Sequence, residues 1–185
     1  MPLEDVLATQ LLTERPARPD QPVALQAVHT LLDTHSPLSI EAGCEHVLKS
    51  CHAESAGVSL FSHAKYDELT WLVVRGHLAR FQGRRFPHRH SMCGVCFDLD
   101  AAQLFVKPHL HFQWMQQAGI GIREALVAPL KNRRGQFEGT MWVMTHTKDH
   151  VRFNGGDLEV LELVASKIDF SHLAKGADNA PLAPT

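Results

Sequence analysis

Long apolar runs are missing from the 185-residue chain: none approaches the ~20 residues that a membrane span needs. The opening stretch MPLEDVLATQ has no basic region followed by an apolar one, so the expectation is a cytoplasmic protein with no membrane partner. Cysteine is scarce. Four residues are too few for a disulfide framework, and in a reducing compartment they serve as packing, redox or metal-binding groups. An excess of one charge is also absent: eighteen Lys and Arg face twenty Asp and Glu, for a formal net charge of −2. Such a molecule has no general field for nucleic acid or anionic lipid, and any anion site must be local. The chain further lacks an ATP-binding kinase motif, a receiver-type phosphoacceptor, a helix-turn-helix pattern and internal repeats. Composition excludes classes but names no activity.

What is present is an ordinary globular composition, 44% hydrophobic and 21% charged, at a length that buries roughly two thirds of the unfolded surface without staples. Thirteen His stand out. Their protonation near pH 6.5 adds positive charge throughout the molecule, which predicts poor acid stability. Residues 1–21 read as an N-terminal arm, since the three prolines of ERPARPDQP cannot continue a helix. Residues 173–185 read as a disordered tail, poor in anything to bury, and the domain is 22–172. Within it, Leu25, Val28, Leu31 and Leu32 mark a helix from Pro22 to about His35, and Ser39 caps a second with Ile40, Cys44, Val47, Leu48 and Cys51 on one face. The runs at 55–62, 69–76, 103–106, 124–130 and 139–146 read as strands, 109–120 as an amphipathic helix, and Leu158 to Ile168 as the stripe of a last helix starting near Asp157. Grouped strands bracketed by helices predict an α+β domain on a mainly antiparallel sheet.

Three stretches, SMCGVCFDLDAAQLFVKPHLHF (91–112), EALVAPLKNRRGQFEGTMWVMTH (124–146) and RFNGGDLEVLELVASKI (152–168), carry a family resemblance. They resemble the GAF domains found ahead of histidine kinase modules in bacterial sensor proteins, where a Ser-Pro-Cys-Gly turn precedes Leu-Asp and a Gly-Thr-Leu-Trp-Val strand precedes Ser-His. Here Met92 replaces the Pro, Met141 the Leu and Thr145 the Ser. The resemblance covers residues 22–172 and implies a GAF/PAS-like sheet with terminal helices on one face and ligand-pocket helices and loops on the other. It implies a non-catalytic sensory domain that holds a small molecule between the sheet and the 76–118 segment. With no output module in sight, it implies signalling through a homodimer or a separate protein such as a histidine kinase. It names no particular ligand or cofactor.

The basic segment 75–90 holds Arg75, Arg80, Arg84, Arg85 and Arg89 with His77, His88 and His90, and no acid stands between Glu68 and Asp98. Guanidinium forks there suit an anion, with Arg75, Arg85 and His90 as candidate contacts; the alternative is a solvated basic loop. Cys93 and Cys96 form a CxxC after the cap residue Ser91. They read as a packing turn, as a reactive thiol pair, or as a metal site completed by His88, His90, His109 or His111. The thiol-enzyme reading is similar to the GAF-type free methionine sulfoxide reductases, but the further cysteine expected before EALVAPL is replaced by Ile120, Gly121, Ile122 and Arg123. Chromophore-bearing GAF domains place His after the reactive Cys, whereas Gly94 and Phe97 follow here. Phe105 and Trp142 are candidates to wall a ligand cavity, or core residues together with Trp71, Trp114 and Phe112; His146 shares the strand face of Trp142. The stripes Leu25, Val28, Leu32 and Leu161, Val164, Ile168 suit either cover for the sheet or a dimer seam.

Overall fold

The computed structural model describes residues 2–33, 37–62, 68–150 and 152–169, without the side chain of Leu32; the tail expected at 173–185 lies outside them. Six strands, β1 (Ser55–Phe61), β2 (Glu68–Gly76), β3 (Arg85–Pro87), β4 (Gln103–Val106), β5 (Glu124–Lys131) and β6 (Phe137–Thr145), make one sheet in the order β3-β2-β1-β6-β5-β4. Every neighbouring pair is antiparallel. Strand alternation sorts the side chains into two cores. Val58, Leu126, Ala128, Met141 and Val143 face a helical layer, while Leu69, Trp71, Val127, Trp142 and Met144 face the other way.

The helical layer is α2 (Gln21–Asp33), α3 (Ile40–Ser50) and α6 (Gly155–Lys167), with the single turn α1 (Leu11–Glu14) beside it. Ser39 caps α3, its hydroxyl accepting from Ala42 N at 3.2 Å. Cys44 and Cys51 are fully buried packing residues on the inner side of that helix. The last helix starts earlier than the stripe indicates: Asn154 is its cap, and Asp157 closes a capping box by accepting from Asn154 N at 3.0 Å. The first helix ends at Asp33, and His35 lies outside the described residues. On the opposite side of the sheet sit α4 (Met92–Leu99) and α5 (Gln113–Gln117). Among the described residues, no helix is long and apolar enough to cross a membrane.

The N-terminal arm is built into the domain. Ala8 N donates to Leu104 O (2.8 Å) and Val106 N to Val6 O (2.7 Å), so the arm covers the free edge of β4. Farther on, the Arg15 fork meets both oxygens of buried Glu124 at 2.8 and 2.9 Å, and Arg18 meets both oxygens of Asp157 at 2.7 Å. Pro16 lies in the irregular chain between these anchors, whereas Pro22 falls in the first turn of α2.

At one end of the sheet, His146 Nδ1–H donates to Gly121 O (2.7 Å) and Nε2 accepts from the Ser55 hydroxyl (2.9 Å), which uses the neutral ring. Burial pushes this imidazole below its ordinary value, against a smaller upward pull from the Gly121 bond and Glu54. The unfolded chain therefore takes up a proton that the folded chain refuses. The stability tied to His146 is full above about pH 6.5 and declines as pH falls below it. Urea midpoints measured from pH 7.5 down to 5 are expected to fall more steeply for the native chain than for His146→Asn; equal slopes would assign the acid sensitivity elsewhere.

Candidate functional site

The face of the sheet away from α2, α3 and α6 is where the sequence places a ligand cavity. Its floor is β1, whose inward positions Ser55, Gly57 and Ser59 carry little bulk. Two tryptophans take the space above them. The Trp142 indole rests on Gly57, where an added Cβ would lie 2.4 Å from the ring, so only glycine admits it. Its Nε1 donates to Ser59 Oγ at 2.9 Å. Trp71 stands beside it with ring centroids 4.8 Å apart, and Phe86 (4.5 Å) and Trp114 (6.3 Å) continue the stack. Trp114 Nε1 donates to His90 O (2.7 Å), fastening α5 to the turn before α4. Phe105, Phe112, Met115, Ile120 and Ile122 complete this core. The space between the sheet and the 76–118 segment is thus filled by the protein's own side chains.

Helix α4 brings the CxxC to this core. Ser91 caps it, accepting from Gly94 N at 3.0 Å and donating to His88 O at 2.8 Å. Gly94 permits the close approach, since a Cβ there would stand 2.0 Å from His88 O. Cys93 and Cys96, three residues apart, therefore both face the sheet and are 4% and 0% exposed. The Cys93 thiol donates to Ser59 Oγ (3.5 Å), and Cys96 lies 3.8 Å from Val127 O. Burial pushes both thiols up, and the Thr140 and Ser59 hydroxyls temper the rise at Cys93 without reversing it. Thr140 Oγ1 is itself buried beside this thiol. A protonated, enclosed thiol is a poor nucleophile. Among the described residues, no group of three His, Cys, Asp or Glu is placed to hold a metal, at the CxxC or elsewhere.

The candidate residues divide between two sides. Cys93, Cys96, Phe105 and Trp142 come together in the enclosed core. Arg75 does not join them. Strict alternation from Trp71 would put it on their face, but the pairing passes from Val58↔Val73 to Ser59↔Trp71, leaving Leu72 as an extra residue. That bulge turns Arg75 toward α3, where its Nε lies 3.2 Å from Glu45. Arg85 pairs with Thr70 while Phe86 points inward, so its guanidinium faces away from the cavity side, 3.7 Å from Glu68. His90 contributes its carbonyl to Trp114, and its side chain is exposed. The buried charged residues among those described, Glu124 and Asp157, both belong to the helical side. The enclosed face thus presents hydroxyl, thiol and indole groups and no charge. Ser59 and Thr140 were missed in the sequence, where a Ser and a Thr on separate strands leave no motif. Elsewhere, an open groove of about 300 Å³ runs along the outer side of α6, lined by Leu158, Glu159, Glu162 and Leu163.

No protein-family model matches the chain, and no curated protein matches its sequence significantly. Solved structures resemble it in shape. The GAF domain from a phosphoenolpyruvate-protein phosphotransferase of Coxiella burnetii superposes with a TM-score of 0.64 at 13% identity, covering 85% of this chain and 97% of that one. The chromophore-binding domain of a bacteriophytochrome from R. palustris gives 0.62 at 11% identity, covering 89% of this chain and 65% of that one. The free methionine-R-sulfoxide reductase from Neisseria meningitidis, solved with its substrate, gives 0.58 at 16% identity, covering 89% and 99%. Likeness at such identities establishes the fold.

Proposed function

The chain has the fold of a GAF domain, and from that premise we propose that it is a non-catalytic, cytoplasmic sensory domain that admits a small uncharged molecule beneath the 76–118 segment. The observation that carries this reading is the uncharged, side-chain-filled inner face, on which neither thiol reaches solvent. It leaves the thiol-enzyme alternative without an accessible nucleophile, and it gives an anion no countercharge inside. Cys93, Cys96, Phe105 and Trp142 surround the guest, with the Thr140 hydroxyl beside Cys93 as a polar contact; Arg75, Arg85 and His90 stand outside.

The resting chain is the closed form, so a guest acts by population shift and must bind the opened arrangement more tightly. Opening moves α5 and the turn at His90 away from Trp71. The change reaches the helical layer through β1 and β6, which carry residues of both cores. Output runs through α2 and α6 to a second copy of the chain and to a separate signalling protein such as a histidine kinase. Exposed Val23 on α2 (73% exposed) and the groove of α6, with Leu158 and Leu163 between its glutamates, support that assignment.

Thermal-shift screening with neutral and charged metabolite pools, paired with native mass spectrometry, tests the reading. Stabilisation by a neutral pool and a dimer mass are expected. Consumption of free methionine sulfoxide with a thiol donor would overturn the non-catalytic assignment, and stabilisation by charged pools alone would overturn the neutral guest.

A further inference from the structure

In the basic segment expected to line the cavity, Arg75 and Arg85 face away from the enclosed core, and Arg80 and Arg84 make no ion pair among the described residues. Arg75 is matched by Glu45 and Arg85 by Glu68. Arg80 and Arg84, both exposed, are each held over the same Phe81 ring, at 4.9 and 5.2 Å from its centroid. Those distances confine the two cationic centres to about 10 Å of each other at most. Within that span, two guanidinium forks can engage the oxygens of one phosphate-class group.

The platform beneath them is rigid. Phe81 is 3% exposed and packs edge-on against Trp71. The turn that carries the arginines is tied to β2 at its C-terminal end, with Trp71 N donating to Arg84 O (3.0 Å), Gly83 N to Trp71 O (2.7 Å) and Val74 N to Gln82 Oε1 (3.2 Å). Arg84 N donates to Phe81 O (3.1 Å), closing the turn between the two arginines. Stacking on an aromatic ring restrains a guanidinium while leaving its edge N–H donors free, so part of the ordering cost is met before a ligand arrives.

We propose that Arg80 and Arg84, braced on Phe81, form a docking site for a phosphate-class oxyanion on the outer side of the 77–90 segment. The site is separate from the neutral chamber and goes beyond the sensory reading. It touches the chamber wall through Phe81 and Trp71, so a bound oxyanion stiffens the segment that must lift for a guest to enter.

The test uses inorganic pyrophosphate as the probe, titrated into the full chain at constant ionic strength with calorimetry and thermal melting. Saturable binding and a raised Tm are expected, with affinity falling at least about tenfold in Arg80→Ala/Arg84→Ala. The control removes the same charge elsewhere: Arg133→Ala/Arg134→Ala, in the β5–β6 hairpin, should bind as the native chain does. Absence of saturable binding, or equal weakening in both double variants, would overturn the site. The chamber is probed separately by neutral pools, so failure of one assignment leaves the other standing.

Discussion

Asp157→Ala is expected to destabilise the fold by about 3–5 kcal/mol, the range for removing one partner of a buried ion pair. Asp157 is fully buried and does two jobs. Its oxygens receive the Arg18 fork at 2.7 Å each, and one also accepts Asn154 N at 3.0 Å, closing the first turn of α6. Without the carboxylate, the 13%-exposed guanidinium keeps only the half-exposed Asp20, 3.6 Å from its Nε, and the helix loses part of its cap. Asn154 ties the same junction to the arm by accepting from the Gln21 amide and donating to Pro16 O (2.8 Å). Loss at Asp157 should therefore free the arm as well. At about 2–4 °C per kcal/mol for a chain of this size, Tm falls by roughly 6–20 °C. Urea denaturation of Asp157→Ala, Arg18→Ala and the double variant checks the pair. Single losses that add without coupling, or a loss below about 1 kcal/mol for Asp157→Ala, would contradict the arrangement.

Trp142→Ala should cost a similar amount, about 3–5 kcal/mol, for a different reason. The indole is fully buried over Gly57 beside Trp71, and its removal leaves a hollow with mostly apolar walls and the Ser59 hydroxyl with only the Cys93 thiol as donor. A dry apolar cavity of that kind takes up small aromatic molecules. Added indole should restore part of the lost stability to Trp142→Ala in a saturable way and leave the native protein unmoved. Stabilisation of the native chain by indole to the same degree would mean that the resting chamber already has room. A variant that is destabilised but gains nothing from indole would mean that the walls collapse into the gap.

Local chemistry was the most legible part of the sequence. The Ser39 and Ser91 caps act over three residues, and both hydroxyls accept the amide that the spacing indicates. The long strands declared themselves by alternation, and the grouping of elements led to an antiparallel α+β sheet. Features that depend on distant chain were hidden. β3 is three residues with one inward side chain, Phe86, and exists because β2 offers it an edge. Arg15 and Arg18 sit among prolines in what reads as an arm, while their carboxylates lie 109 and 139 residues farther on. The single-residue bulge at Leu72 reverses the face of Arg75, and no local signal marks it. Trp71 and Trp142 each read as core material; only the pairing of β2 and β6 on either side of β1 reveals that together they fill the expected cavity. The two glycines that permit close approach, Gly57 and Gly94, gain their meaning from what lies above them.

Closure of the inner face is measured most directly by the rate at which Cys93 and Cys96 react with a thiol reagent in the folded chain at neutral pH, followed by mass spectrometry with peptide assignment. Enclosure under α4 predicts reaction at least about 100-fold slower than a free cysteine, the protection given by an opening cost of roughly 3 kcal/mol, with acceleration on unfolding. Modification of either residue at the rate of a free cysteine, in a chain that keeps its native spectrum, would contradict both the closed chamber and the non-catalytic role.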